Sequence, residues 1–472
     1  MGQAGSLVQA QTQTFSLILG RSLSRKSMSE TNNQSLLPAL PTWYRLQHAL
    51  YSIVGRRFDH LLDGIQHGQL SVTWPDGHTS LHGDKSDDAA ENGQITLHNF
   101  KPLRQMMAKG ENGFAECYLQ GDWSSDNLVN LFRLITKNEP QIAALTTGGW
   151  LARLRNSMLH NRNHNSLSGS RRNIEFHYDL GNDFYRLWLD ESMSYSSALF
   201  QGSETNPQMS PDSSTSRGAA SAELAHDAVS KDLLLDAQYN KLDDVIRYLD
   251  PKPGAQILEI GCGWGAMAER LARQGQCQVQ GISLSHEQLR YARENNTVTP
   301  SADNPGSTSF VHQDYRQVEG TYDHVVSIEM FEAVGERYWG TYFSKLNSLL
   351  NSGGSAVLQV ITIAEDRYEE YKASPDFIQR YIFPGGMLPS KTHLKELVDQ
   401  AGFELVETNW FGHSYATTLK LWREKFEEVS REVQAQGFDD RFMRMWRYYL
   451  SYCEVGFLID RTDVGQLLLV KK

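Results

Sequence analysis

The sequence predicts an α/β protein: a doubly wound, mostly parallel sheet preceded by a smaller α+β N-terminal domain. Three observations carry that expectation. Short β-rich runs at residues 256–260, 279–282, 324–328 and 355–360 alternate with helical stretches, the order from which parallel sheets are built. The first run passes directly into Gly261-Cys262-Gly263-Trp264-Gly265, a strand-to-helix turn that lets the backbone approach a ligand. The chain has 472 residues, more than one ordinary core organises, so two domains are expected.

Residues 1–40 read as a disordered tail. Arg21, Arg25 and Lys26 precede the first acid, Glu30, which gives the tail a faint likeness to a transit peptide, but its polar composition favours disorder. A small α+β domain is expected over residues 41–140. Trp43, Leu46, Leu50, Ile53, Val54, Phe58 and Leu61 recur at helical spacing. Strands at 68–74 and 94–100 flank Pro75-Asp76-Gly77 and a polar stretch through Asp88, and residues 128–136 return to helical spacing. Residues 141–173 form a linker without acids, in which Arg153, Arg155, Arg162, Arg171 and Arg172 accumulate. It reads as a solvated connection, with a strip that meets anionic phospholipid headgroups as the sharper alternative. The second domain spans 174–472 and loops out a Ser-rich insertion at about 201–222. Its C-terminal stretch carries Trp422, Phe438, Phe442, Trp446, Tyr448, Tyr449 and Tyr452, expected in the core or along a slot for an acyl chain.

Composition narrows the function. With 45 Lys plus Arg against 56 Asp plus Glu, the net charge of -11 argues against a general nucleic-acid binder. Cys117, Cys262, Cys277 and Cys453 lack metal-ligand or disulfide spacing, which points to a reducing cytoplasm and no metal. The sequence holds no long apolar run, so lipid contact is expected to be peripheral.

The glycine turn suggests the cofactor. Gly261, Gly263 and Gly265 depart from the GxGxxG spacing of nicotinamide enzymes, and Glu259 places a carboxylate where it can face the ammonium group of S-adenosylmethionine. The next strand ends in Ser283 and Leu284, with Gln288 beyond. Ser283 and Gln288 are the polar groups available where many methyltransferases put a ribose-binding acid. Asp314 and Tyr315 offer a carboxylate and an aromatic face for adenine.

Longer runs carry a more specific likeness. HYDLGNDFYRLWLDESMSYSSALF from His177, ILEIGCGWGA from Ile257, GISLSHEQ from Gly281, QDYR from Gln313, SIEMFEAVG from Ser327, RYIFPGGMLPS from Arg380 and FGHSYATTLKLW from Phe411 resemble the cyclopropane-fatty-acyl-phospholipid synthases and mycolic acid cyclopropane synthases. With GFAECYLQGDW from Gly113, the similarity runs over most of residues 42–470. It implies a Rossmann-like class I methyltransferase domain that transfers the sulfonium methyl to a cis double bond of a phospholipid acyl chain, forming a cyclopropane ring. It also implies bound bicarbonate as the base, held by Glu332, the backbone near Ile361, Tyr415, Ser197 and Gln359, with Tyr195 and Ser196 touching the cofactor. The N-terminal domain resembles the family's own extra domain, which suggests contact with the bilayer or a homodimer.

The departures from the family pattern cluster near that base. Ser197 stands where the family commonly has cysteine, Gln359 where it has histidine, Ala333 interrupts its FEHVG, and Glu329 adds an acid where glycine is frequent. A methyl- or methylene-branched product is therefore the alternative to the ring. A small-molecule O- or N-methyltransferase and a lipid-binding protein without catalysis are the readings from other classes.

Overall fold

The computed structural model describes residues 55, 58–60, 62–146, 180–201 and 231–472. The expected tail, most of the first helix, the linker arginines and the Ser-rich insertion lie outside the described residues. A contact-based division separates residues 1–56 from a unit that runs from Arg57 to Lys472.

The chain first builds a small sheet from β1 (Leu70–Thr73), β2 (Thr79–His82), β3 (Gly93–Leu97) and β4 (Trp123–Ser124), in the order β2-β1-β3-β4. Pro75-Asp76-Gly77 closes a β1–β2 hairpin, with Gly77 N donating to Trp74 O at 2.8 Å. The sequence placed the flanking strands correctly but left β2 inside a polar stretch. β2 has one buried residue, His82, and takes its conformation from pairing with β1. Helices α1 (Lys101–Lys109), α2 (Glu111–Leu119), α3 (Leu128–Lys137) and α4 (Glu139–Thr146) follow, and α4 crosses the boundary expected near residue 140.

The second sheet has seven strands among the described residues, in the order β10-β11-β9-β8-β5-β6-β7. Its parallel core is β5 (Gln256–Ile260), β6 (Gln278–Ser283), β7 (Ser307–His312), β8 (Tyr322–Ile328) and β9 (Leu350–Ile363), while β11 (Thr462–Lys471) runs antiparallel between β9 and β10 (Phe403–Trp410), which therefore points the same way as the core. Helices α5 (Asn182–Trp188), α6 (Lys231–Leu249), α7 (Ala266–Arg273), α8 (His286–Asn295) and α9 (Trp339–Ser348) belong to this part. So do α10 (Tyr368–Ala373), α11 (Phe377–Tyr381), α12 (Lys391–Gln400), α13 (Gly412–Glu428), α14 (Ser430–Ala435) and α15 (Asp440–Leu458). The central strands are apolar because helices cover both faces, which gave β5, β6, β8 and β9 their signal in the sequence. The mostly parallel, doubly wound sheet is thus as predicted.

One buried apolar cluster runs from Leu70, Val72 and Ile95 of the small sheet to Trp422 and Trp446 of the C-terminal helices. Helix α15 makes the join: Tyr448 packs its ring 4.9 Å from Phe132 and 5.6 Å from Tyr118. Polar contacts fasten the same seam, with Asn112 Nδ2 donating to Pro375 O at 3.0 Å and Arg367 Nη2 to Glu139 Oε1 at 2.7 Å. Trp446 sits at the centre, edge-on to Phe184 at 5.0 Å and to Tyr449 at 5.3 Å. Trp446→Ala should cost about 3–5 kcal/mol, as expected for a large ring removed from a packed core. Chemical denaturation checks this, and a loss below about 1 kcal/mol would show that the core does not depend on this ring.

Candidate active site

A cavity of about 160 Å³ opens over the carboxyl ends of β5, β6 and β8, where open parallel sheets bind ligands. Glu259, Gly261 and Gly263 line it from the β5 turn. Gly261 has φ +84° and lies so close to Met330 that an added Cβ would stand 2.7 Å from its Cγ. Gly263 faces open space, with no atom within 4 Å of an added Cβ. Gly265 does not line the cavity. It caps α7 at φ +97°, and an added Cβ would meet Phe310 Cζ at 2.9 Å, so this glycine packs the helix on the sheet.

Ser283, Leu284 and Gln288 line the cavity from β6 and α8. Ser283 Oγ donates to Gln288 Oε1 at 3.0 Å, and Ser285 caps α8 by accepting from Gln288 N at 3.2 Å. Asp314 and Tyr315 close another side. The Asp314 carboxylate is pinned by Arg316, whose Nε and Nη2 donate at 2.8 and 2.6 Å. Tyr195 and Ser196 complete the wall beside Lys241, which the sequence analysis did not single out.

Glu259 is 3% exposed, its Oε2 has no hydrogen-bond partner, and burial pushes its carboxyl up to about 8. A buried carboxylate oxygen without a donor is costly unless a ligand supplies one. The open space over Gly263, the buried acid with one oxygen lacking a donor and the polar wall at Ser283 and Gln288 together fit S-adenosylmethionine.

The expected base residues gather at the end of β8, arranged around Glu329. This residue adopts φ +48°, a left-handed conformation that costs a non-glycine residue about 1–3 kcal/mol. Its N–H donates to Gln359 O at 2.8 Å, which holds the turn. Its Oε1 accepts from Ser197 N at 2.8 Å and from Gln359 Nε2 at 2.7 Å, and its Oε2 accepts from Tyr415 OH at 2.7 Å. Gln466 Nε2 donates to Gln359 Oε1 at 3.1 Å and so turns the Gln359 amide toward Glu329. Burial raises the Glu329 carboxyl above its usual range, against the lowering effect of these three donors.

Ser197 takes part through its backbone. Its hydroxyl donates to Ala198 O at 2.9 Å, so the side-chain contact expected from the sequence is replaced by an amide contact. Glu332 lies in the short turn Phe331–Ala333 and accepts from Ile361 N at 2.5 Å through Oε1, while Oε2 is enclosed without a partner. Burial, followed by the charge of Glu329, pushes Glu332 up to about 8.

Glu329, Tyr195 and Ala333 also line a second, larger cavity of about 540 Å³, so the two spaces meet at the base cluster. Its walls are largely apolar and come from both sheets' surroundings. Leu62, Ile65, Val72 and Ile95 belong to the small domain, and Tyr448, Tyr449 and Phe457 to α15. Of the C-terminal aromatics, Trp422 and Trp446 lie in the core, while Tyr448, Tyr449 and Tyr452 also line this cavity. No metal-binding cluster occurs among the described residues.

A family model for mycolic acid cyclopropane synthetase matches residues 165–467. A tuberculostearic acid methyltransferase of Mycobacterium tuberculosis is 35% identical over 376 residues, covering 78% of this chain and 81% of that protein. The cyclopropane-fatty-acyl-phospholipid synthase of Escherichia coli is 30% identical over 383 residues, covering 79% of this chain and 87% of its own. Among solved structures, the cyclopropane synthase MmaA2 from Mycobacterium tuberculosis aligns with a TM-score of 0.53 at 27% identity, over 64% of this chain and 98% of that one. The mycolic acid cyclopropane synthase CmaA1, complexed with SAH and CTAB, aligns with a TM-score of 0.52 at 28% identity, over 64% and 98% of the two chains.

Two predictions follow from the acids. Glu259→Gln should weaken S-adenosylhomocysteine binding about 10-fold, by loss of one charge-assisted hydrogen bond, and calorimetric titration measures it. Glu259 and Glu332 both carry pKa values raised to about 8, so the folded protein without ligand holds protons that the unfolded chain releases. Its stability should then fall as pH rises from about 4.5 to about 8, by up to about 1.4 kcal/mol per pH unit for each acid. Glu332→Gln should flatten that slope, as urea denaturation at several pH values would reveal.

Proposed function

Because the chain belongs to the mycolic acid cyclopropane synthetase family of S-adenosylmethionine-dependent methyltransferases, we propose that it methylates a cis double bond in a phospholipid acyl chain, with Glu329 as the proton acceptor. The carrying observation is the Glu329 carboxylate, fixed by three donors where the cofactor slot and the apolar cavity meet. The bound cofactor supplies an electrophilic methyl group. An alkene is a weak nucleophile, so the protein's part is to hold it in line, exclude water and accept one proton. The largely apolar cavity of about 540 Å³ suits the first two tasks.

Oε1 of Glu329 already accepts two hydrogen bonds and Oε2 accepts one, which leaves Oε2 the freer to take a proton. Burial raises its basicity for that task. Bicarbonate, the base expected from the family resemblance, would compete with this carboxylate for the same donors. A second anion there would lie beside a buried negative charge, so the proton is assigned to Glu329.

Methyl addition leaves positive charge on the neighbouring alkene carbon. Loss of a proton from the added methyl to Glu329 lets that C–H electron pair close a cyclopropane ring. If a hydride first shifts from the methyl-bearing carbon to its cationic neighbour, loss of a proton from the methyl to Glu329 instead forms a C=CH2 methylene branch on the open chain. The departures at Ser197, Glu329 and Gln359 all sit in this seat and favour the methylene-branched product as the second reading. The substrate class implies peripheral contact with a membrane on its cytoplasmic side. Among the described residues, no helix is long and apolar enough to cross one.

Glu329→Gln should lower methyl transfer to unsaturated phospholipid at least about 100-fold, far more than it weakens S-adenosylhomocysteine binding. Retained turnover would remove Glu329 from the base role. Mass spectrometry of the acyl chains separates ring from methylene, and a product methylated only on oxygen or nitrogen would overturn the alkene reading.

A further inference from the structure

Lys241 of α6 is 1% exposed and lines the cofactor slot beside Ser196 and Glu259. Among the described residues its Nζ donates to Ser196 Oγ alone, at 2.7 Å, and no carboxylate lies within the 4.0 Å of an ion pair. An ammonium group carries three donors, and a buried one needs an anion close by. Asp190, Glu259 and Glu329 act on it only from farther away, and burial pushes its pKa down to about 8. On the same wall, Glu259 presents a carboxylate oxygen with no donor.

A buried cation short of acceptors and a buried acid short of donors, side by side on one cavity, match the two charges of an α-amino acid. We propose that Lys241 binds the α-carboxylate of the cofactor's methionyl end, with Ser196 held beside it, while Glu259 faces the ammonium group. Lys241 then selects for a cofactor with an intact amino acid, and the position of the sulfonium over the Glu329 seat depends on that anchor. The proposal rests on the assignment of this slot to S-adenosylmethionine.

The test compares calorimetric binding of S-adenosylmethionine with that of its decarboxylated form, which keeps the amine and the sulfonium but lacks the carboxylate. The wild-type protein should prefer the intact cofactor by at least about 10-fold. Lys241→Met should bind the two compounds equally, with affinity for the decarboxylated form within about 3-fold of wild type. Lys241→Arg should recover part of the preference. Equal weakening of both compounds by Lys241→Met would make the lysine merely structural, and a wild type that does not distinguish them would overturn the proposal without any variant. If wild type bound neither compound, the cofactor assignment itself would fall.

Discussion

The Glu329 carboxylate takes hydrogen bonds from three segments that are far apart in sequence: the loop at Ser197, strand β9 at Gln359 and helix α13 at Tyr415. Without it the buried Ser197 N–H and Tyr415 hydroxyl would lose their acceptor and Gln359 Nε2 would keep only a long contact to Ser197 O, and the acid would be a buried charge without donors. The left-handed backbone at this residue is tolerated because its own N–H is also held by Gln359. The mouth of the cofactor slot, the start of the apolar cavity and the aim of Tyr415 all depend on this one group. Its neighbour Glu332, tied to Ile361 N, sets a second buried acid beside it, one that burial and the charge of Glu329 push up to about 8.

The small domain contributes to the site as well as to the fold. Its sheet and helices supply the wall of the larger cavity opposite α15, and the aromatic seam through Tyr118, Phe132 and Tyr448 holds that wall in place. In the proposed reaction a long apolar ligand lies between these two layers, and its reactive segment meets the polar seat where the two cavities join. The arrangement keeps water from a reaction centre that carries positive charge on carbon.

Much of this could be read in the sequence. β5, β6, β8 and β9 are central strands buried on both faces, so their apolar runs announce them. β2 and β10 carry few buried residues and owe their conformation to neighbours, which a linear pattern does not record. The glycine turn marked the cofactor slot, but it could not separate Gly261 and Gly263, which line the cavity, from Gly265, which packs a helix. All five expected base residues do converge. Glu329 stood out only as an added acid where glycine is frequent, and its contacts with Ser197, Gln359 and Tyr415 emerge only once those segments are folded onto it. Lys241 left a faint signal: it falls on the buried stripe of α6 with Leu234, Ala237, Gln238 and Val245, where a lysine is out of place.

The central claim is that a side chain fills the place of a free anion, and chemical rescue addresses it most directly. Glycine accepts the backbone conformation at position 329, so Glu329→Gly empties the seat while keeping the Ser197, Gln359 and Tyr415 donors. Turnover on unsaturated phospholipid would be measured in bicarbonate-free buffer and then across a bicarbonate series, for this variant and for the wild type. A wild type indifferent to bicarbonate, beside a variant inactive without it and restored by it, is the predicted result. A wild type that needs bicarbonate, or a variant that turns over without it, would contradict the role assigned to Glu329.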